Sequence, residues 1–492
     1  MSSRNRQRKV LLVTPPYHAG VVESAGRWPN LAFTCMAGSL RDAGFEVEIY
    51  DAMTRDHDIE TVGRRIEEAR PDFVCTTAFT PAIYAAMDVL RVAKEVDSSI
   101  VTVAGGVHVN FCYEEALRGF ADCLDYVVRG EGEETLVELA QAVVARGDVS
   151  KVRGLAYLDG QGVAITPSRP FVSDLDALKP AWDLVDWSDY TLFPLEGSRL
   201  AIVNSSRGCP HNCAFCSQQK FWERGWRARS PESFVDELES LVTKHGVDVV
   251  MLSDEYPTPD RRRWERVLDL LIERDLGLYL LLETRVNDII RDAGLMWKYR
   301  AAGVVHVYVG VEATGQERLD VFRKGIDCEQ SREAIRLLND VGIVTECSFV
   351  LGLPHETPET IAETLDLARI YDPDLPQFLM IAPWPYSDMY KDLEDYIITR
   401  DYSKYNFVEP VVKPRNMTAE GLQQSVVDCY RQFYSAKARD YANIKDDFKR
   451  EYLLDSMRAM MKNSFLAKHI KVEEGTGHIE TDSETKSVCA RN

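Results

Sequence analysis

Cys209, Cys213 and Cys216 stand in a single stretch, Cys-Pro-His-Asn-Cys-Ala-Phe-Cys, separated by three residues and then by two. This spacing lets one tight loop present three thiolates to one inorganic centre, and thiolate ligation of a four-iron cluster ordinarily takes four cysteines. A loop that supplies three leaves one iron open to a small molecule. The alternatives are a structural zinc loop and three incidental buried thiols. Zinc loops usually come as two Cys-x2-Cys or Cys/His pairs across a spacer, and the one extra donor nearby, His211, lies inside the loop where its geometry is poor.

The Cys-x3-Cys-x2-Cys spacing, with the aromatic Phe215 directly before the last cysteine, resembles the radical S-adenosylmethionine (SAM) superfamily. In that superfamily the open iron binds the amino and carboxylate groups of SAM, and an electron from the cluster cleaves a sulfur–carbon bond to release a 5'-deoxyadenosyl radical. The resemblance therefore implies a 4Fe-4S cluster on Cys209, Cys213 and Cys216, and SAM beside Phe215.

Such a loop needs a rim of strand ends around it. From residue 201 the sequence alternates apolar runs with amphipathic helical patterns, giving expected strands at 201–204, 247–252, 278–283, 304–311, 344–351 and 377–383. The series predicts a partial (β/α)6 barrel, open on one side to a large substrate, with the cysteine loop at the carboxyl-end rim where barrel enzymes carry their chemistry. The other strand ends carry polar residues: Ser253-Asp254-Glu255, Glu283-Thr284-Arg285, Gly310-Val311-Glu312 and Gly352-Leu353. In the superfamily these ends meet the cofactor. The resemblance implies that Asp254 or Glu255 meets the SAM ammonium, Arg285 its carboxylate and Glu312 its ribose, with Gly352 and Leu353 against the adenine. Ser253 and Glu283 complete the expected set. The alternative for each is a helix cap or a solvated rim charge. His306 and Cys347, inside strand runs, are expected in the core, and no residue is assigned a catalytic role.

An earlier alternating series, with strands at 10–14, 46–50, 73–77, 100–104 and 126–128, predicts an α/β, flavodoxin-like (Rossmann-type) domain over 1–146. Ligands of such sheets bind at the carboxyl ends of the strands. There the chain has Pro16-Tyr17, Thr76-Thr77, Gly105-Gly106-Val107 and Gly130-Glu131, turns small enough to admit a bulky flat cofactor. A flavodoxin-like domain ahead of a radical SAM barrel resembles the cobalamin-binding class, which implies cobalamin on these turns. None of the nine histidines follows an aspartate by two residues, so the Asp-x-His-x-x-Gly motif that replaces the lower cobalt ligand is missing. The alternative is a flavin-type, empty or degenerate domain.

Residues 147–198, rich in glycine and proline, read as a linker with a small hairpin at 155–165. The barrel is expected over 199–394, a helical region over 395–471, and a disordered polar tail over 472–492. With 58 Lys and Arg against 78 Asp and Glu, the net charge of −20 disfavours nucleic-acid binding. No apolar run is long enough to span a bilayer. A basic, polar start without an apolar signal region points to the cytoplasm, where the eleven cysteines are expected as reduced thiols.

A closer likeness runs from about residue 9 to 465. Pro16-Tyr17-His18 with Ala25-Gly26-Arg27-Trp28-Pro29, Asp51-Ala52-Met53-Thr54, Thr80-Pro81-Ala82-Ile83-Tyr84, Arg129-Gly130-Glu131-Gly132-Glu133-Glu134, Cys216-Ser217-Gln218 with Lys220-Phe221-Trp222, and Tyr405-Asn406-Phe407-Val408 resemble the anaerobic magnesium-protoporphyrin IX monomethyl ester oxidative cyclase family. That family closes the fifth ring of chlorophylls without molecular oxygen, taking the new oxygen from water through a radical at the ester side chain. The Ser253-Asp254-Glu255-Tyr256-Pro257 segment departs from the Asp-Glu-Glu-Pro of the family. The expected function is thus radical oxidative cyclisation of a tetrapyrrole ester, with a small-molecule substrate and a reductant such as flavodoxin or ferredoxin. The same architecture serves radical methyltransferases acting on unactivated carbon or phosphorus, and a noncatalytic cobalamin or redox sensor is a third reading.

Overall fold

A computed structural model of the chain describes residues 7–21, 24–313, 315–468, 471–472 and 479–480. The tail expected to be disordered falls almost wholly outside the described residues. Among the described residues no helix is long and apolar enough to cross a membrane.

The first sheet contains β1 (Lys9–Thr14), β2 (Glu46–Asp51), β3 (Phe73–Thr77), β4 (Val101–Gly105), β5 (Tyr126–Val128), β6 (Leu155–Leu158) and β7 (Val163–Ile165), in the order β2-β1-β3-β4-β5-β6-β7. Its first five strands run parallel, and alternate residues of β1 feed separate cores on the two faces: Leu11 and Val13 on one, Val10 and Leu12 on the other. The chain reverses direction across the sheet between β1 and β3, and the carboxyl ends of these two strands therefore flank a crevice. The 155–165 hairpin, expected in the linker, instead prolongs this sheet. Its first strand pairs antiparallel with β5, Val128 opposite Leu155, which leaves Leu155 and Ala156 fully buried.

The second sheet contains β8 (Leu200–Val203), β11 (Val249–Leu252), β12 (Tyr279–Thr284), β13 (Val304–Glu312), β14 (Val344–Leu351) and β15 (Leu375–Met380), all parallel and adjacent in that order. This is the expected six-stranded partial barrel. Between β8 and β11 the chain makes a short antiparallel ribbon, β9 (Ser206–Gly208) with β10 (Trp226–Ala228), and the three cysteines lie in the loop that joins its strands.

Six strands cannot close on themselves, so β15 keeps an open edge. The Ala419–Tyr441 helix covers it with a row of tyrosines. Tyr430 Oη accepts from the Phe378 N–H at 3.0 Å, Tyr434 Oη donates to Pro376 O at 3.1 Å, and Tyr441 Oη donates to Asp374 O. The Asp447–Asn463 helix seals the amino-terminal end of the barrel: Lys449 Nζ reaches Ile343 O at 3.0 Å and Asp374 at 2.8 Å, and Phe448 stacks on Tyr279. The carboxyl-end rim is thus left as the way in.

Removing one of these hydroxyls strands a buried backbone group of the edge strand. Tyr434→Phe and Tyr430→Phe are each expected to lower unfolding free energy by about 1–3 kcal/mol in urea titrations; no shift in either midpoint would contradict the edge-cover account.

Candidate active site

The cysteine loop has little regular structure of its own, and it is held by side chains from neighbouring strand ends. Asp254, after β11, is 1% exposed; its carboxylate accepts from the Ser205 N–H at 2.8 Å, the Ser205 hydroxyl at 2.8 Å and the Ser206 hydroxyl. Glu255 accepts from the Gly208 N–H at 2.9 Å and from the Trp222 indole at 2.8 Å. Burial pushes both carboxyls up, and the loop donors pull them back down. The carboxylates expected at a SAM ammonium are therefore bonded to the strand and loop that carry the cysteines. Gly208 is needed at this point: it has φ +97°, and a Cβ there would lie 2.3 Å from Gly225 O.

Within the loop, the Ala214 N–H donates to Phe322 O at 3.0 Å, and Phe215 meets the Phe322 ring edge to face. Arg285, after β12, is buried, with Nη1 3.6 Å from Cys213 Sγ and Nη2 bonded to Lys324 O. Lys324 is 6% exposed, 2.6 Å from Glu312, and lies over the Phe215 ring. Lys324 sits in the loop after the short Gln316–Val321 helix and was not among the expected site residues. Glu312 holds a left-handed φ of +63°, an uncommon conformation for a side-chain-bearing residue. Gly310 leaves room for this ion pair, since a Cβ there would come 2.5 Å from Lys324 Nζ. His211 packs against Tyr256, and burial together with the nearby Arg285 and Lys324 charges pushes it down to about 4, which keeps it neutral.

Glu283 differs from the other rim carboxylates. It presents surface, yet protein surrounds it, so it opens onto the space enclosed by the barrel. Burial, reinforced by Glu255 and opposed by Lys324, pushes its carboxyl up to about 8. Below it the interior stays polar. Tyr308, opposite Glu283 in the sheet, donates to Ser348; His306 lies 3.1 Å from Glu346 and 3.0 Å from the Tyr452 hydroxyl; Gln377 donates to Glu346 at 2.9 Å. His306 and Cys347 are both buried, as expected. Ser253 is exposed at the end of β11, and the Gly352 and Leu353 N–H groups both donate to the buried Glu356.

The donor set fits a cluster. Three cysteines from one loop suit a four-iron cluster, which takes each thiolate on a separate iron. Burial pushes the Cys216 thiol up to about 12, so its thiolate depends on a bound metal for stabilisation.

At the carboxyl edge of the first sheet, Gly106 has φ +97°, and a Cβ there would lie 2.8 Å from the Ala78 backbone. Nothing lies within 4 Å of a Cβ built on Gly130. Phe79 is 59% exposed here, and Thr14 Oγ1 together with Arg129 Nε and Nη1 are buried without hydrogen-bond partners. The open Gly130, an exposed ring and buried polar atoms without partners suit a large amphipathic cofactor. Of the expected contacts, Pro16, Thr77, Gly105 and Val107 lie partly buried along this edge, while Tyr17 donates to Ser403 O at 3.3 Å and Thr76 donates to Val13 O at 2.9 Å. Glu131 faces the other way, into the barrel domain. Phe79 was absent from the expected contacts, and an exposed aromatic beside a strand end is the signal that could have found it.

An aromatic wall crosses from one domain to the other. Phe111 stacks on Tyr386 at 4.8 Å, and Trp384 lies parallel to Tyr386 at 6.5 Å. Beneath it His108 bonds to Thr80, which bonds to the Tyr386 hydroxyl at 2.8 Å.

Residues 203–368 match the radical SAM superfamily and residues 17–140 match the B12 binding domain. The chain is 43% identical to the anaerobic magnesium-protoporphyrin IX monomethyl ester cyclase of Rubrivivax gelatinosus, over 93% of this chain and 83% of that protein. It is 30% identical to the uncharacterized methyltransferase PH0819 of Pyrococcus horikoshii, over 89% of this chain and 95% of that protein. Its fold is similar to that of the radical SAM methyltransferase TsrM from Kitasatospora setae, solved with cobalamin and a [4Fe-4S] cluster, with a TM-score of 0.69 and 18% identity over 92% of this chain and 99% of that one.

In protein purified without its cofactors, the raised Glu283 carboxyl makes stability fall as pH rises. The unfolded chain loses this proton in the ordinary carboxylate range and the folded chain holds it until about pH 8. Glu283→Gln is expected to raise the melting temperature relative to the parent by a margin that widens from pH 5 to pH 8; a margin independent of pH would contradict the assignment.

Proposed function

Because the chain belongs to the family of anaerobic magnesium-protoporphyrin IX monomethyl ester cyclases, radical SAM proteins with a B12-binding domain, we propose that it closes a ring on a magnesium-porphyrin ester by radical chemistry. The reading is carried by the 43% identity over 93% of the chain. When bound, the cluster with SAM supplies a 5'-deoxyadenosyl radical and the corrin supplies a reactive cobalt centre.

The chain's own residues hold and orient these groups. Cys209, Cys213 and Cys216 bind the cluster. Arg285 and Lys324 put positive charge beside the thiolates and the SAM carboxylate, where charge-assisted hydrogen bonds are strong. Glu283, open to the barrel interior, takes the cofactor's cationic end in place of Asp254 and Glu255. Glu312 faces the ribose. Phe111 and Trp384, partly exposed and packed against the buried Tyr386, offer aromatic surface to a planar macrocycle. The Asp447–Asn463 helix shuts the barrel floor, so substrate enters between the domains and bulk water is excluded from below. A one-electron donor such as flavodoxin or ferredoxin, in the cytoplasm, would supply the electron that reduces the cluster.

A second reading, radical methylation of an unactivated centre, draws on the 30% identity to a methyltransferase along 89% of the chain. The coproducts separate the two. Anaerobically reconstituted protein given reductant, SAM and magnesium-protoporphyrin IX monomethyl ester is expected to yield ring-closed porphyrin and 5'-deoxyadenosine without S-adenosylhomocysteine. Unchanged porphyrin would overturn the cyclase reading, and S-adenosylhomocysteine formed in step with a methylated product would establish the second.

A further inference from the structure

One buried ionic junction ties the two domains together, and it lies two residues from a cluster ligand. Arg207 Nη1 is 2.7 Å from Glu131, and its Nη2 is 2.7 Å from Glu133; the three side chains are 11%, 5% and 7% exposed. Arg227, directly opposite Arg207 in the β9–β10 ribbon, adds bonds of 3.0 and 3.1 Å to the two oxygens of Glu131. The Val172 N–H donates to the same carboxylate at 2.6 Å. Arg227 lies in turn against both the Phe171 and Trp222 rings, at 5.0 and 5.4 Å.

The two ends of this junction face different cofactor sites. On one side Glu131 follows Gly130, an exposed glycine at the carboxyl edge of the first sheet with open space around it. On the other side Arg207 precedes Gly208 and Cys209, and Gly208 is itself fixed by Glu255. A path of short bonds therefore runs from the cobalamin-side turn, through Glu131 and Arg207, to the first cluster cysteine. Surface ion pairs contribute little to geometry, but desolvated bidentate ones of this kind fix it.

We propose that Arg207, clamped by Glu131 and Glu133, is a positioning residue that sets the separation and orientation of the corrin relative to the cluster. The proposal rests on the reading that both cofactors serve one reaction. A lysine at 207 keeps the charge, but its single ammonium cannot bond both glutamates in the planar geometry of the guanidinium. Arg207 thus differs from a residue needed only for folding, because its conservative replacement leaves each domain intact and changes how the two meet.

The test uses anaerobic holoenzyme of the parent, Arg207→Lys and Glu133→Gln, loaded with cluster and cobalamin. The primary readout needs no porphyrin: magnetic coupling between the cob(II)alamin spin and the reduced cluster, measured by pulsed electron paramagnetic resonance. Arg207→Lys is expected to keep parental iron and cobalamin contents and to cleave SAM within about threefold of the parental rate. Its spin coupling should change, and ring-closed product per 5'-deoxyadenosine should fall by ~10- to 100-fold, the scale of a roughly 1 Å misplacement. Glu133→Gln, which keeps a neutral acceptor, should change both quantities in the same direction by less. Parental coupling in Arg207→Lys would overturn the proposal, as would product and 5'-deoxyadenosine falling together with iron loss. If the parent itself makes no ring-closed porphyrin the cyclase reading fails, and the spin coupling still decides the role of Arg207.

Discussion

Everything in this protein depends on holding a loop of little regular structure in a fixed shape next to a charged centre. A three-cysteine loop has too few internal hydrogen bonds to rigidify itself, and its backbone donors would otherwise be buried without partners. The surrounding carboxylates meet that need. Asp254 takes Ser205 and Ser206, and Glu255 takes Gly208 and Trp222. The buried cations Arg285 and Lys324 balance this negative charge on the cysteine side. An array of fixed charges in a low-dielectric setting favours one charge state of a bound cofactor without having to reorganise during reaction.

The architecture follows from leaving the barrel incomplete. Six strands give a mouth wide enough for a large substrate but leave an edge, and the tyrosine row of the Ala419–Tyr441 helix answers each exposed backbone group it meets with a hydroxyl. A second helix closes the floor, and above it the interior carries the polar residues Tyr308, His306, Glu346 and Gln377. The first sheet presents its own carboxyl edge toward the same region. Phe111 of one domain stacks on Tyr386 of the other, so the aromatic wall spans both domains.

Much of this was legible in the sequence because its signals are local. Three cysteines at fixed spacing, apolar runs bounded by glycine, and polar residues at strand ends each reflect a short-range requirement, and both sheets formed where the periodicity put them. What was not legible depends on partners far apart in the chain. Asp254 and Glu255 look like free rim carboxylates until Ser205, Gly208 and Trp222 fold against them. Lys324 looks like a loop lysine until Glu312 turns back at positive φ to meet it. The 155–165 hairpin reads as linker because glycine and proline flank it, and only its pairing with β5 shows that it prolongs the first sheet.

Three thiolates leave one iron free, and SAM fills the vacancy. Anaerobically purified and reconstituted protein, reduced and measured by electron paramagnetic resonance before and after SAM is added, tests it directly. About four irons per chain are expected, with a cluster signal whose g values shift when SAM is added. Zinc in place of iron, or an iron signal indifferent to SAM, would contradict it.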